Sequence, residues 1–199
     1  VRQRSATPLS PVQIWLAPLR NSEILFSEFF NIEGIGIKTM AKKENKTNAM
    51  RILEKAKIPY EHIQYECEEF VDAIHISDML GREYHTVFKA LVTVGKSGEH
   101  YVFCIPIDKE LDLKKAAKSV GEKSISMITV KELFPLTGYI RGGCTPIGMK
   151  KQFKTTIDTS AEAFPTIIFS AGKIGYQVEV APKELKKVIP FEVAEIVGE

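Results

Sequence analysis

The chain of 199 residues has the composition of an ordinary globular protein, with 44% hydrophobic and 26% charged residues. No stretch approaches the run of about 20 apolar residues that a membrane helix requires, which argues against a transmembrane protein. The formal net charge of +2 is too small for the overall field to attract nucleic acid, so any such contact must come from local lysine patches.

The cysteines and histidines show no metal-binding or disulfide pattern. Cys67, Cys104 and Cys144 are far apart and form no C-x-x-C pair, and the four histidines form no H-E-x-x-H motif. Free thiols of this kind are typical of a reducing cytosol. We therefore predict a cytoplasmic protein that uses neither a metal nor a cofactor.

Residues 1–39 differ in character from the rest of the chain, because prolines and charges interrupt their apolar residues. The interruptions do not fit a secretory signal peptide either. A start at Met40 would lead naturally through a polar segment into a helix. We expect residues 1–39 to be a poorly packed upstream extension and residues 40–199 to form a single domain.

Beyond Met40, hydrophobic periodicity predicts both helices and strands. Hairpins outnumber strand-helix-strand units, which predicts an α+β fold with a largely antiparallel, barrel-like mixed sheet covered by helices. The expected helices are 48–57, 72–80, 111–120, 129–134 and 182–188, and the expected strands are 60–66, 87–94, 99–106, 153–157, 166–170 and 176–180, with 191–197 as a terminal strand or tail.

The clearest hairpin joins residues 87–94 to residues 99–106 through a turn bounded by glycines. Neither strand alternates cleanly enough for one solvated face, so both are expected to be central. Lys89 is out of place in this apolar context. Its side chain either extends outward along its aliphatic stem or reaches a pocket in which the charge is used.

The glycine-rich segment 137–151 reads as a binding loop. Gly142 and Gly143 allow a close backbone approach, Pro146 fixes one bend, Gly148 permits another, and lysines follow. A ligand with a carbonyl or a phosphate would suit such a loop. A tight turn between two strands would explain the same residues equally well.

Several segments stand out by their order and spacing, namely residues 88–91 (FKAL), 111–118 (LDLKKAAK), 137–139 (TGY), 142–148 (GGCTPIG), 170–175 (SAGKIG) and 178–182 (VEVAP). Together they resemble the YbaK/EbsC family of bacterial Cys-tRNA(Pro) deacylases. The resemblance covers about residues 46–198.

The resemblance implies trans-editing, which is the release of a mischarged amino acid, chiefly cysteine, from tRNA(Pro). It also implies the fold of the prolyl-tRNA synthetase editing domains, which remove alanine, so that Ala-tRNA(Pro) is an alternative substrate. The implied partners are tRNA(Pro), with tRNA(Cys) as a second candidate, and prolyl-tRNA synthetase.

The resemblance also assigns site residues. Family members shape the site with residues that match Lys89, Tyr65, Gly142 and Gly143. This chain retains all four, but it carries Ala90 where relatives have threonine, and Cys144-Thr145 where an Ile-Ser pair is familiar.

An aminoacyl ester is already activated, so orientation and oxyanion stabilisation suffice for its cleavage. Backbone amides at Gly142 and Gly143 are candidates for the oxyanion hole, and Lys89 for holding a phosphate or the ester carbonyl. Tyr65 would contact the terminal nucleotide or be a tyrosine at the edge of the core. Asp158 would anchor the ammonium group or cap a turn.

Other residues complete the predicted site. Thr145 and Pro146 are expected to contact the substrate from the glycine-rich loop. A cysteine substrate could attack its own ester and form a thiolactone, which needs no protein nucleophile. The candidate contacts to the tRNA backbone are the lysines, each of which could equally be an ordinary surface residue: Lys114, Lys115, Lys118, Lys150, Lys151 and Lys154.

Two other classes of function fit the same residues. One is a non-catalytic adaptor that holds a tRNA end or a synthetase. The other is a thiol hydrolase with Cys144 as its nucleophile, which is disfavoured because no histidine partner can be identified.

Overall fold

The computed structural model describes residues 46–65 and 84–198. All of these residues lie in one compact unit that spans residues 44–199. The predicted extension over residues 1–39, the predicted helix over residues 72–80 and Cys67 lie outside the described residues. Those expectations, and the domain boundary at Met40, stay predictions.

The described residues form both of the predicted classes of secondary structure. The helices are α1 Asn48–Lys55, α2 Leu113–Val120, α3 Val130–Thr137 and α4 Pro182–Leu185, with 3-10 helices at Tyr84–Thr86 and Thr159–Ala163. The strands are β1 Tyr60–Gln64, β2 Phe88–Gly95, β3 His100–Pro106, β4 Ile125–Met127, β5 Lys154–Asp158, β6 Ile167–Lys173, β7 Tyr176–Val180 and β8 Phe191–Ala194.

The strands form two sheets, with the orders β1-β7-β6 and β4-β2-β3-β5-β8. A single bridge between Val87 and Ile168 links them. The mixed α+β prediction is confirmed, but the described strands close no barrel. The β3-β5 and β5-β8 pairs are parallel. The prediction of a largely antiparallel sheet, which was based on the hairpins, did not include these pairs. Parallel neighbouring strands must be joined by a crossover connection. The connection between β3 and β5 contains α2, β4 and α3.

Strand β3 is the centre of the larger sheet and is buried on both faces, as the sequence predicted. Val102 and Cys104 face a core that includes Leu53 of α1. Phe103 and Ile105 face a second core, in which α2 packs. The predicted β2–β3 hairpin is present, and its register runs from Phe88 opposite Pro106 to Val94 opposite His100.

Capping residues set both ends of α2. The carboxylate of Asp112 accepts hydrogen bonds from the backbone amides of Lys114 (2.8 Å) and Lys115 (3.0 Å), and Gly121 ends α2 in the left-handed conformation. These bonds hold the pKa of Asp112 below its usual range. None of the described helices is long and apolar enough to cross a membrane.

Candidate functional site

A cavity of about 650 Å³ opens between the two sheets. Its wall is formed by β2, by polar positions of β6 and β7, by the first residues of α2 and α3, and by the front of the glycine-rich loop. Most of the lining is apolar, and Leu111, Val130 and Leu133 contribute to it. A few polar groups in a largely apolar pocket are typical of a site that orients a small ligand.

Strand pairing explains which side chains of the smaller sheet face this cavity. Gln177 of β7 lies opposite Ile63 of β1 and Ser170 of β6, so these three residues form one row on one face. Val178 and Phe169, one position along, face the core instead. Gln177 and Ser170 therefore line the cavity.

Lys89 lines the cavity. Its side chain is half-buried, and Nζ donates a hydrogen bond to the carbonyl oxygen of Ile107 at 3.0 Å. The backbone amide of Ile107 in turn donates to the carbonyl oxygen of Val87. The backbone at Ile107, just after β3, thereby holds the Lys89 ammonium group at the cavity wall.

Tyr65 also lines the cavity, directly after β1. Its backbone amide donates to the carbonyl oxygen of Gly175 at 3.0 Å. Gly175 has a φ of 81°, and a Cβ atom there would lie 2.7 Å from the carbonyl oxygen of Tyr65. The β6–β7 turn therefore requires glycine in order to position Tyr65.

Gly142 and Gly143 differ in what they can do. Gly142 is exposed, lines the cavity and has a φ of 83°. Among the described residues, none accepts a hydrogen bond from its amide. Gly143 is buried, is not among the lining residues, and donates its amide to the carbonyl oxygen of Ile140 at 3.0 Å. Of the two predicted oxyanion donors, Gly142 is the one that the structure places at the cavity.

Cys144 lines the cavity too, and the residue is half-buried. Burial raises the pKa of Cys144 to about 12, so the group is a neutral thiol at physiological pH. A nucleophilic cysteine requires the opposite shift. The chemical state of this thiol thus supports the view that Cys144 does not attack substrate.

The second half of the loop faces away from the cavity. Thr145 and Pro146 are buried and are absent from the cavity wall; Pro146 lines a separate cavity of about 140 Å³. Tyr139 holds this half in place, because its hydroxyl donates to the carbonyl oxygen of Ile147 at 2.7 Å. The structure therefore places Thr145 and Pro146 in a position to support the loop.

Asp158 lies at the end of β5 and does not line the cavity. It is 1% exposed. One carboxylate oxygen accepts from the backbone amide (3.0 Å) and the hydroxyl (2.7 Å) of Ser160, and the other accepts from the backbone amide of Ile196 at 3.0 Å. This is the capping alternative of the sequence analysis, and both oxygens are engaged within the fold.

The predicted tRNA-facing lysines fall into two groups. Lys115 is tied to the C-terminal segment, where Nζ contacts Glu195 and donates to the carbonyl oxygen of Val197. Lys150 lies over the ring of Phe134 at 4.7 Å, and Lys154 lies 4.0 Å from Glu192. The remaining three are exposed and are Lys114, Lys118 and Lys151. Lys114 follows Leu113, which lines the cavity.

Sequence reasoning missed several polar groups of the cavity, namely Glu110, Arg141, Ser170 and Gln177. In the strand over residues 176–180, Gln177 and Val178 lie on different faces, and a polar residue in such an alternating strand usually faces water. Only the packing of β2 against β6 turns that face into a cavity wall. Among the described residues, no group of three His, Cys, Asp or Glu side chains could hold a metal ion.

Comparisons with known proteins identify the family of this chain. The model of the aminoacyl-tRNA editing domain matches residues 67–188. EbsC of Enterococcus faecalis, named as a candidate Cys-tRNA(Pro)/Cys-tRNA(Cys) deacylase, is 46% identical over 160 residues, which cover 79% of this chain and 98% of EbsC. YwhH of Bacillus subtilis is 25% identical over 111 residues, which cover 56% of this chain and 70% of YwhH.

A solved structure of a candidate trans-editing enzyme for prolyl-tRNA synthetase shares the fold. Its TM-score is 0.65 at 24% identity, and the match covers 77% of this chain and 99% of that one.

Proposed function

Because this chain belongs to the aminoacyl-tRNA editing domain family, we propose that it is a deacylase that releases mischarged amino acid, chiefly cysteine, from tRNA(Pro). We propose the cytoplasm, where tRNA is charged, as its location. Cys-tRNA(Cys) is a second substrate candidate because of the name of EbsC. Prolyl-tRNA synthetase is the candidate protein partner, since it would produce the mischarged substrate.

The observation that carries the proposal is the composition of the cavity. It brings Lys89, Tyr65 and Gly142 together from three distant parts of the sequence, and the cysteine beside them is a neutral thiol. An activated ester needs positioning and charge stabilisation more than it needs a protein nucleophile. The cavity supplies a cation, an aromatic ring and a backbone amide for those purposes.

In the proposed reaction, the amide of Gly142 donates to the carbonyl oxygen of the ester as negative charge develops there. One such donor contributes roughly 3 to 4 kcal/mol to transition-state stabilisation. The Lys89 ammonium binds the adjacent phosphate or the same carbonyl oxygen. Tyr65 packs against the terminal adenosine.

With a cysteine substrate, the substrate's own sulfur is the nucleophile. Its attack on the carbonyl carbon forms the carbon–sulfur bond of a thiolactone and breaks the ester bond. The electron pair leaves with the ribose oxygen, and the thiol proton neutralises that oxygen. With alanine or serine, water must attack instead, since the serine hydroxyl is a much weaker nucleophile at neutral pH.

A deacylation assay tests the proposal. Purified protein would be incubated with Cys-tRNA(Pro), Ala-tRNA(Pro), Ser-tRNA(Pro) and Cys-tRNA(Cys), and ester loss would be followed. We expect Cys-tRNA(Pro) to be cleaved fastest. If a folded protein spares every substrate, with or without prolyl-tRNA synthetase, the adaptor alternative replaces the enzyme. A preference for Ala-tRNA(Pro) would correct the substrate.

The chemical route has its own test. Deacylation in ¹⁸O-labelled water gives labelled cysteine if water attacks the ester. A thiolactone can be trapped by an added amine before it hydrolyses. Trapped thiolactone supports attack by the substrate sulfur, whereas labelled cysteine that no amine can intercept supports direct hydrolysis.

A further inference from the structure

The side chain of Gln177 contains an unusual polar group in the wall of the cavity. The residue is 6% exposed, and its Oε1 atom is fully buried without a hydrogen-bond partner among the described residues. Leaving a buried acceptor without a donor is energetically unfavourable, so each such atom calls for an explanation, and binding of a ligand is one such explanation. Gln177 lines the cavity, so a rotation of its side-chain amide can bring Oε1 to a donor on a bound ligand.

We infer that Gln177 is a specificity-determining residue that accepts a hydrogen bond from the α-ammonium group of the aminoacyl ester. This inference rests on the proposed function for the identity of the ligand. An aminoacyl adenosine end offers three kinds of donor: the ammonium group, the ribose hydroxyls and, with cysteine, the thiol. The ammonium group is the strongest of them, because its donors carry positive charge.

The position of Gln177 fits this role. Ser170 lies on β6, opposite Gln177. Its hydroxyl oxygen accepts a hydrogen bond from the backbone amide of Gly172 at 3.3 Å. The carboxylate that lines the cavity, Glu110, is exposed, so water competes for any hydrogen bond there. Asp158, predicted from the sequence as the ammonium anchor, has both oxygens engaged within the fold.

A neutral amide is also suited to a cavity that contains the Lys89 cation. It binds an ammonium group through its dipole and adds no charge to the cavity. The amide therefore favours substrates with a free α-ammonium over N-blocked ones. Elongating or initiating tRNAs that carry a peptide or an N-acylated amino acid would be spared.

Binding measurements with hydrolysis-resistant analogues test the inference without requiring turnover. The probes are 3′-deoxy-3′-(L-cysteinylamino)adenosine and its N-acetyl derivative, and Kd is measured by calorimetry. The variants are Gln177→Met, which keeps the shape but removes the acceptor, and Gln177→Glu, which keeps an acceptor. The control is Gln64→Met, an exposed glutamine on the neighbouring strand.

We expect wild type and Gln64→Met to prefer the free amine. Gln177→Met should bind the free amine about 10- to 100-fold more weakly and the N-acetyl probe unchanged. Gln177→Glu should retain the preference. The inference is overturned if wild type binds neither probe, if Gln177→Met weakens both probes equally, or if Glu110→Gln removes the preference while Gln177→Met keeps it.

The outcomes separate this inference from the proposed function. If the binding pattern is as expected but Cys-tRNA(Pro) is not cleaved, the role of Gln177 stands and the enzymatic proposal fails. If Cys-tRNA(Pro) is cleaved and Gln177→Met cleaves N-acetyl-Cys-tRNA(Pro) and Cys-tRNA(Pro) in the same ratio as wild type, only the inference fails.

Discussion

The cavity wall and the region behind the glycine-rich loop, which we call the anchor region (Tyr139, Thr145–Ile147 and Asp158), contain the same kinds of polar group but use them differently. In the anchor region, the carboxylate of Asp158 and the hydroxyl of Tyr139 are hydrogen-bonded to nearby backbone groups. In the cavity wall, the Gly142 amide and the Gln177 oxygen have no partner among the described residues.

The difference separates structural from functional polar residues. A satisfied buried group contributes to folding, and its removal leaves its partners without a hydrogen bond. An unsatisfied group at a cavity adds no hydrogen bond to the fold and can serve a ligand. Variants of the cavity wall should therefore change activity, and variants of the anchor region should change stability.

The largest expected effect is that of Lys89→Met, which keeps the aliphatic stem but removes the cation. We expect kcat/KM for Cys-tRNA(Pro) to fall roughly 100- to 1,000-fold, because the cation that we propose to stabilise the transition state is lost. Steady-state deacylation measures this, with the exposed lysine variant Lys123→Met as a control. If Lys89→Met kept the activity of the wild type, Lys89 would have no role in the reaction.

Next in size is the effect of Asp158→Ala on stability. We expect the free energy of unfolding to fall by roughly 2 to 4 kcal/mol, because the amides of Ser160 and Ile196 lose their acceptor. Urea denaturation measures the loss, and the exposed Asp108→Ala variant should be nearly neutral. Activity per folded molecule should be retained; a stable but inactive Asp158→Ala variant would restore Asp158 as a substrate anchor.

Tyr139→Phe should have a smaller effect, of about 1 kcal/mol on the free energy of unfolding, since only the hydroxyl that holds the carbonyl oxygen of Ile147 is lost. The matched control is Tyr60→Phe, whose hydroxyl makes an exposed hydrogen bond to Glu54. Thermal unfolding of both variants measures the difference. Equal shifts would show that Tyr139 does not hold the loop.

The smallest effect is expected for Cys144→Ser. Because burial raises the pKa of Cys144 to about 12, the thiol stays protonated across the working pH range. We expect kcat/KM to change less than about threefold, and alkylation by iodoacetamide at pH 7.5 to be slow. Loss of activity in Cys144→Ser, with Lys89→Met still active, would instead support the thiol hydrolase.

Much of the fold could be predicted because its signals are local. The end of α2 at Gly121 and the turn between β2 and β3 depend on neighbours within a few residues. The parallel pairing of β3 with β5 could not be predicted in this way, because it joins segments about 50 residues apart. The short strand β4 was missed because three residues carry no periodic pattern.

For the site, the sequence by itself determined the residue types and the resemblance that selected Lys89, Tyr65 and the two glycines. Tertiary structure decided which of those residues share a cavity. Gly142 and Gly143 are neighbours in sequence, yet one amide faces the cavity and the other closes a turn. Asp158 was predicted to bind the substrate, but both of its carboxylate oxygens are hydrogen-bonded within the fold. Gln177 was not predicted, yet its Oε1 has no partner among the described residues. Whether a buried polar atom is free for a ligand depends on partners that only the folded chain brings to it.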